Sequence, residues 1–101
     1  MFYLLTLKET LNVGYELRVL EWHSKEGQQQ AHGQLLVELE SHKAVIEIRV
    51  AQPAFLRKIL VSTGESQAPG KPIAVLSDSL DEPLPAAFTD LQEIAVDYLF
   101  M

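Results

Sequence analysis

The sequence predicts an all-β domain, a small sandwich or flattened barrel with approximate two-fold symmetry, followed by a C-terminal helix. Three observations carry this. Several short runs alternate apolar with polar residues, and side chains one apart in a strand point to opposite faces, so each run reads as a half-buried strand. Glycines fall in two equally spaced pairs, Gly27 with Gly33 and Gly64 with Gly70. After Asp78 the apolar residues take up a helix-compatible spacing instead.

Taken in order, Thr6 to Tyr15 supplies a first strand and turn, and Val19-Leu20-Glu21-Trp22 a second strand. Glu26 to Gly33 is a loop framed by glycine, which adopts positive φ without the cost other residues meet. Leu35 to Leu39 and Ile46 to Val50 are strands that meet at the polar turn Glu40-Ser41-His42-Lys43-Ala44. Phe55 to Val61, the loop Thr63 to Gly70 and the strand Ile73 to Leu76 then repeat strand, Gly-framed loop, strand. Superposing Glu26–Gly33 on Thr63–Gly70 also aligns Gln30 with Gln67 and Ala31 with Ala68. Under that symmetry Lys43 maps onto Leu80, so one of two related positions carries an amine.

Composition narrows the function. A chain of 101 residues, 48% of them hydrophobic, supports one domain with a modest core. No apolar run reaches membrane-spanning length and no basic signal-peptide start is present, so a cytoplasmic protein without a membrane partner is expected. Zero cysteine removes disulfides, thiolate metal sites and thiol nucleophiles together. A net charge of -6 argues against a nucleic-acid surface.

The turn between the alternating runs puts Lys43 at or beside a hairpin tip, where an amine projects into solvent on a rigid base. From the hairpin alone, an ordinary solubilising lysine is the better reading. Glu38, Glu40 and Glu47 sit at strand spacing on an outward face, which suits solvated surface or recognition by partners more than acid/base catalysis. His23, His32 and His42 lack metal-ligand spacing and read as surface residues, and Trp22 reads as core. No catalytic constellation and no metal site is expected.

The segments Val19 to Gly27, Gly33 to Ala44, Arg57 to Val61 and Gly70-Lys71-Pro72-Ile73-Ala74-Val75-Leu76 resemble the lipoyl domains of 2-oxoacid dehydrogenase acyltransferase subunits. The resemblance covers roughly residues 17 to 78 and places Lys43 on the modified lysine of that family. It implies two antiparallel sheets of four strands each, lipoate attached covalently to Lys43, and Glu40, Ser41, His42 and Ala44 as the neighbours a modifying enzyme reads. The implied partners are a lipoate-protein ligase or lipoyl transferase and the subunits of a 2-oxoacid dehydrogenase-type complex. The implied activity is that of a carrier, not an enzyme: a swinging arm moving acyl groups or electrons between active sites. An unmodified interaction module is the alternative, with a biotin carrier third.

Three departures from the family pattern stand out. His42 replaces the usual aspartate before the lysine, Ala54 stands where glycine is common, and the proline-containing start is missing. Biotin carriers set the lysine between two methionines, so His42 and Ala44 put this chain nearer the lipoyl type.

The lipoyl-type domain is expected over residues 1–79 and an extension over 80–101. Asp81-Glu82-Pro83-Leu84-Pro85 reads as a break. From Ala86 to Leu99, the stripe Phe88, Leu91, Ala95, Tyr98 and Leu99 predicts a helix packed on the domain, with Pro85 suited to its first turn. A chain of this length has no room after the lipoyl region for an acyltransferase core, so a multienzyme role would be played in trans or by a longer parent protein.

Overall fold

The computed structural model describes residues 1–7, 16–41 and 44–101. Among the described residues ten strands form two sheets: β1 (Phe2–Thr6), β2 (Leu17–Trp22), β3 (Gln29–Gln30), β4 (Leu35–Glu40), β5 (Val45–Val50), β6 (Ala54–Ile59), β7 (Ser66–Gln67), β8 (Pro72–Ser77), β9 (Gln92–Glu93) and β10 (Val96–Phe100). One sheet runs β3-β6-β8-β1-β9 and the other β10-β5-β4-β2-β7. All pairings are antiparallel except β1 with β9.

Alternation in sequence becomes alternation in burial. Ile46, Ile48 and Val50 of β5 are fully buried while Val45, Glu47 and Arg49 between them are not. Leu36, Leu39, Leu56, Ile73 and Leu76 join them from the facing strands in one core cluster. Trp22 packs at the edge of this core and donates its indole N–H to the carbonyl of Val61 at 2.9 Å, so it serves as both apolar filler and cross-link.

The internal repeat is real at the level of single hydrogen bonds. The shift that carries Gly27 onto Gly64 carries β2 onto β6, β3 onto β7 and β4 onto β8. Gly27 N–H donates to Leu56 O at 2.6 Å, and Gly64 N–H donates to Val19 O at 2.8 Å, which is the same bond under a two-fold exchange. Gln28 donates to Lys25 O in one loop and Glu65 to Ser62 O in the other. The four framing glycines have φ between 86 and 90°, as the spacing predicted. Irregularities in register recur too, between Val19 and Glu21 and between Leu56 and Lys58. Ala54 opens β6 buried and without positive φ, so its Cβ needs no special backbone there.

One expectation lies mostly outside the described residues and another needs correction. The first described strand is Phe2–Thr6, earlier than expected, and residues 8–15 lie outside the described residues. More substantially, the predicted C-terminal helix does not form: Gln92–Glu93 pairs with β1 and Val96–Phe100 pairs with β5 in unbroken register. Each of the four-stranded sheets is thereby widened to five. The physical reason is the open edge of β5, whose backbone donors and acceptors need partners that a helix cannot supply. Val96, Tyr98 and Phe100 also fit the period of two, opposite Val50, Ile48 and Ile46, so tertiary pairing overrides the helical stripe.

Arg57 ties the segment leading to these strands back to the domain. Its guanidinium donates to Ser77 Oγ at 3.0 Å, Ser79 O at 2.9 Å and Glu82 O at 2.6 Å, and lies 5.2 Å from the centre of the Phe2 ring. Beside it the N-terminal amine bonds Glu82 and Asp78, and these carboxylates raise its proton affinity. The amine in turn holds Asp78 below the usual carboxylate range.

Candidate functional site

β4 and β5 form the expected hairpin, with Glu40 opposite Val45 as its last strand pair. Ser41 and Ala44 are stitched together beyond that pair. Ser41 N–H donates to Ala44 O at 2.9 Å, Ala44 N–H donates to Ser41 Oγ at 3.1 Å, and the Ser41 hydroxyl is 3.2 Å from Ala44 O. Serine suits this position because its short hydroxyl reaches backbone groups a few residues on. His42 and Lys43 lie outside the described residues. Among the expected recognition residues, Glu40 is exposed and Ser41 and Ala44 are half-buried, so the rim of the hairpin is open to a partner.

The outer face of this sheet is acidic by construction. Register sets Glu21 opposite Glu38 and Glu38 opposite Glu47, three carboxylates in one row across β2, β4 and β5. Like charges facing each other across strands are unfavourable, and the side chains of His23 and Arg49 lie against the row. His23 brings Nε2 to 2.5 Å from Glu38 and Nδ1 to 3.4 Å from Glu21, while Arg49 donates to Glu47 at 3.2 Å. His23 is thus exposed, as its position suggested, and its ring lies against Glu38 and Glu21. Arg18, Glu40 and Val45 form the next row toward the hairpin end, and Glu16, Arg18, Glu40 and Ser41 line a shallow depression there.

Sequence reasoning missed the contribution of β10. Met101 N–H donates to Val45 O at 2.8 Å, and Val45 N–H donates to Met101 O at 3.4 Å, so the end of the extension adjoins the hairpin. The alternation of Val96, Tyr98 and Phe100 was the available signal. Among the described residues no group of three His, Asp or Glu side chains is placed to hold a metal ion.

A family model described as "biotin-requiring enzyme", which covers biotin and lipoyl attachment, matches residues 11–76. The chain belongs to the biotin/lipoyl attachment family. The matched span includes the hairpin and both Gly-framed loops. Within the family the chain is similar to the dihydrolipoyllysine-residue acetyltransferase component of the mitochondrial pyruvate dehydrogenase complex of Caenorhabditis elegans, 34% identical over 86% of this chain. It is also 38% identical over 70% of its length to the protein of the same description from Saccharomyces cerevisiae. The chain spans only 16% and 14% of the lengths of these two relatives.

Proposed function

We propose that this biotin/lipoyl family domain is a lipoyl carrier, with Lys43 as the attachment residue. The observation that carries the reading is the Ser41–Ala44 stitching: it ties the ends of β4 and β5 together on either side of positions 42–43 in the sequence, inside the family match and at the lysine where the resemblance implies modification. A carrier needs its amine on a firm base with an approachable rim, and the exposed Glu40 and half-buried Ser41 and Ala44 fit that need. When attached, a lipoyl group supplies a dithiolane that takes up acyl groups or electrons; the protein supplies attachment, presentation and recognition. The acidic row Glu21, Glu38 and Glu47 suits electrostatic recognition by a partner surface of opposite sign.

The partners in this reading are a lipoate-protein ligase or lipoyl transferase, then subunits of a 2-oxoacid dehydrogenase-type complex. Tethering raises the local concentration of the reactive group at each site above that of free lipoamide. The unmodified-module alternative draws on one observation, the histidine at position 42 where the family usually has aspartate.

The test is incubation with lipoate-protein ligase, ATP and lipoate, followed by intact mass and peptide mapping. The expected result is a single lipoyl group on Lys43. A group on Lys25, Lys58 or Lys71 instead, or none under conditions that modify a control lipoyl domain, refutes the proposal. Incubation with biotin protein ligase and biotin tests the third reading in the same way.

A further inference from the structure

Residues 78–91 join β8 to β9 and belong to neither sheet. Burial along them has a period of three: Ser79, Glu82, Pro85, Phe88 and Leu91 are half-buried, and the two residues between each are exposed. A strand alternates every second residue and an α-helix follows a period of about 3.6, whereas polyproline II has about three residues per turn. The segment is therefore a strap with one edge on the domain and two in solvent. Arg57 holds it on the same period, because the carbonyls it reaches, Ser79 O at 2.9 Å and Glu82 O at 2.6 Å, are three residues apart. Ser77 Oγ also donates to Ser79 O at 2.5 Å, and Asp81 N–H donates to Ser79 Oγ at 3.1 Å.

Local chemistry sets the middle of the strap. Pro83 and Pro85 lock φ at about −65°, and each disfavours helical geometry in the residue before it, so Glu82 to Pro85 is held extended. Between bends at residues 80–82 and 86, Pro83-Leu84-Pro85 runs without a turn. Leu80 and Leu84 are 47% and 41% exposed, with the exposed Pro83 between them. The charged residues of the strap, Asp78, Asp81, Glu82 and Asp90, are all acidic.

We propose that this strap is a docking ligand for a partner protein whose groove is lined by aromatic rings and rimmed by basic residues. Extended proline-containing segments suit aromatic-lined grooves, which exploit a conformation already in place. Pro83 and Leu84 supply the apolar contact, and the carboxylates on either side select a basic rim over an acidic one. Arg57 lowers the ordering cost, because the strap is pinned before the partner arrives. Nothing in this docking requires modification of the domain.

The test titrates purified WW-type groove modules, one set with basic and one with acidic rims, into isotope-labelled protein followed by NMR. Basic-rimmed modules are expected to shift residues 80–87 with Kd below about 1 mM, and acidic-rimmed ones to bind at least about tenfold more weakly. Leu84→Ser and Pro83→Gly keep the fold, since both positions are exposed, and each is expected to weaken binding about tenfold. Arg57→Lys is expected to weaken it about threefold by loosening the strap. The absence of any module with Kd below about 1 mM, equal affinity for both rims, or shifts on β2, β4 and β5 instead of on the strap overturns the proposal. So do strap shifts that follow protein concentration without any module, which place a second copy there.

Discussion

Replacing Gly27 or Gly64 with alanine probes the two-fold repeat through backbone energetics alone. Each has φ of 90°, and a Cβ added at either would meet nothing within 4 Å, so no clash contributes. What remains is the strain of an L-residue held at positive φ, about 1–3 kcal/mol, less about 0.4–1 kcal/mol gained because alanine restricts the unfolded chain. The expected net cost is about 1 kcal/mol at each site, or about 4–8 °C in Tm for a domain of this size. The two bonds these glycines make, to Leu56 O and Val19 O, exchange under the two-fold, so the two costs should agree within about 0.5 kcal/mol. Urea unfolding measures both, and an unchanged m-value assigns the change to stability. A negligible cost at either site, or a cost at one more than twice that at the other, would refute the argument that the loops are energetically equivalent.

Lys43→Arg keeps the charge but cannot form the lipoyl amide, so mass spectrometry should find no modification while unfolding free energy stays within about 0.5 kcal/mol of the parent. His42→Asp restores the usual family neighbour and should raise the initial rate of ligase modification at little change in stability; equal rates would remove residue 42 as a determinant. Trp22→Phe leaves the carbonyl of Val61 without its indole donor and should cost about 1–3 kcal/mol in chemical denaturation. Arg57→Lys retains the charge but loses the fork that reaches Ser77, Ser79 and Glu82 together, and should cost about 1–2 kcal/mol, visible as a lower midpoint in urea.

The sandwich, its repeat and the β4–β5 hairpin were legible because each rests on local rules. Period-two alternation in Val45–Val50 fixes which side chains turn inward, and Gly27, Gly33, Gly64 and Gly70 announce positive φ. The extension was not legible for a reason equally physical. Phe88, Leu91, Ala95, Tyr98 and Leu99 satisfy a helical stripe, while Val96, Tyr98 and Phe100 satisfy a strand. Only the unpaired edge of β5, a property of the assembled sheet, decides between them. The pairing of His23 with Glu38 and Glu21 was hidden similarly, because it depends on which residues the register sets side by side.

The departure from perfect two-fold symmetry bears directly on the proposed attachment position. β4 is joined to β5 through the short turn closed by Ser41 and Ala44. Its symmetry counterpart β8 lies beside β1, but there the strands meet through a hydrogen bond from Asp78 N–H to Met1 O, and the chain leaves toward β9. Leu80, the position equivalent to Lys43, falls on that departing segment, which Arg57 holds against the domain through Ser79 and Glu82. A covalent arm needs a base whose two ends are fixed relative to each other, because any play there spreads the positions its far end samples. Of the two equivalent ends, the one where Ser41 and Ala44 bond each other is also the one whose sequence supplies an amine. The extension then widens both sheets, and Met101 pairs with Val45 at this same end, so the edge that β10 covers adjoins the proposed attachment position.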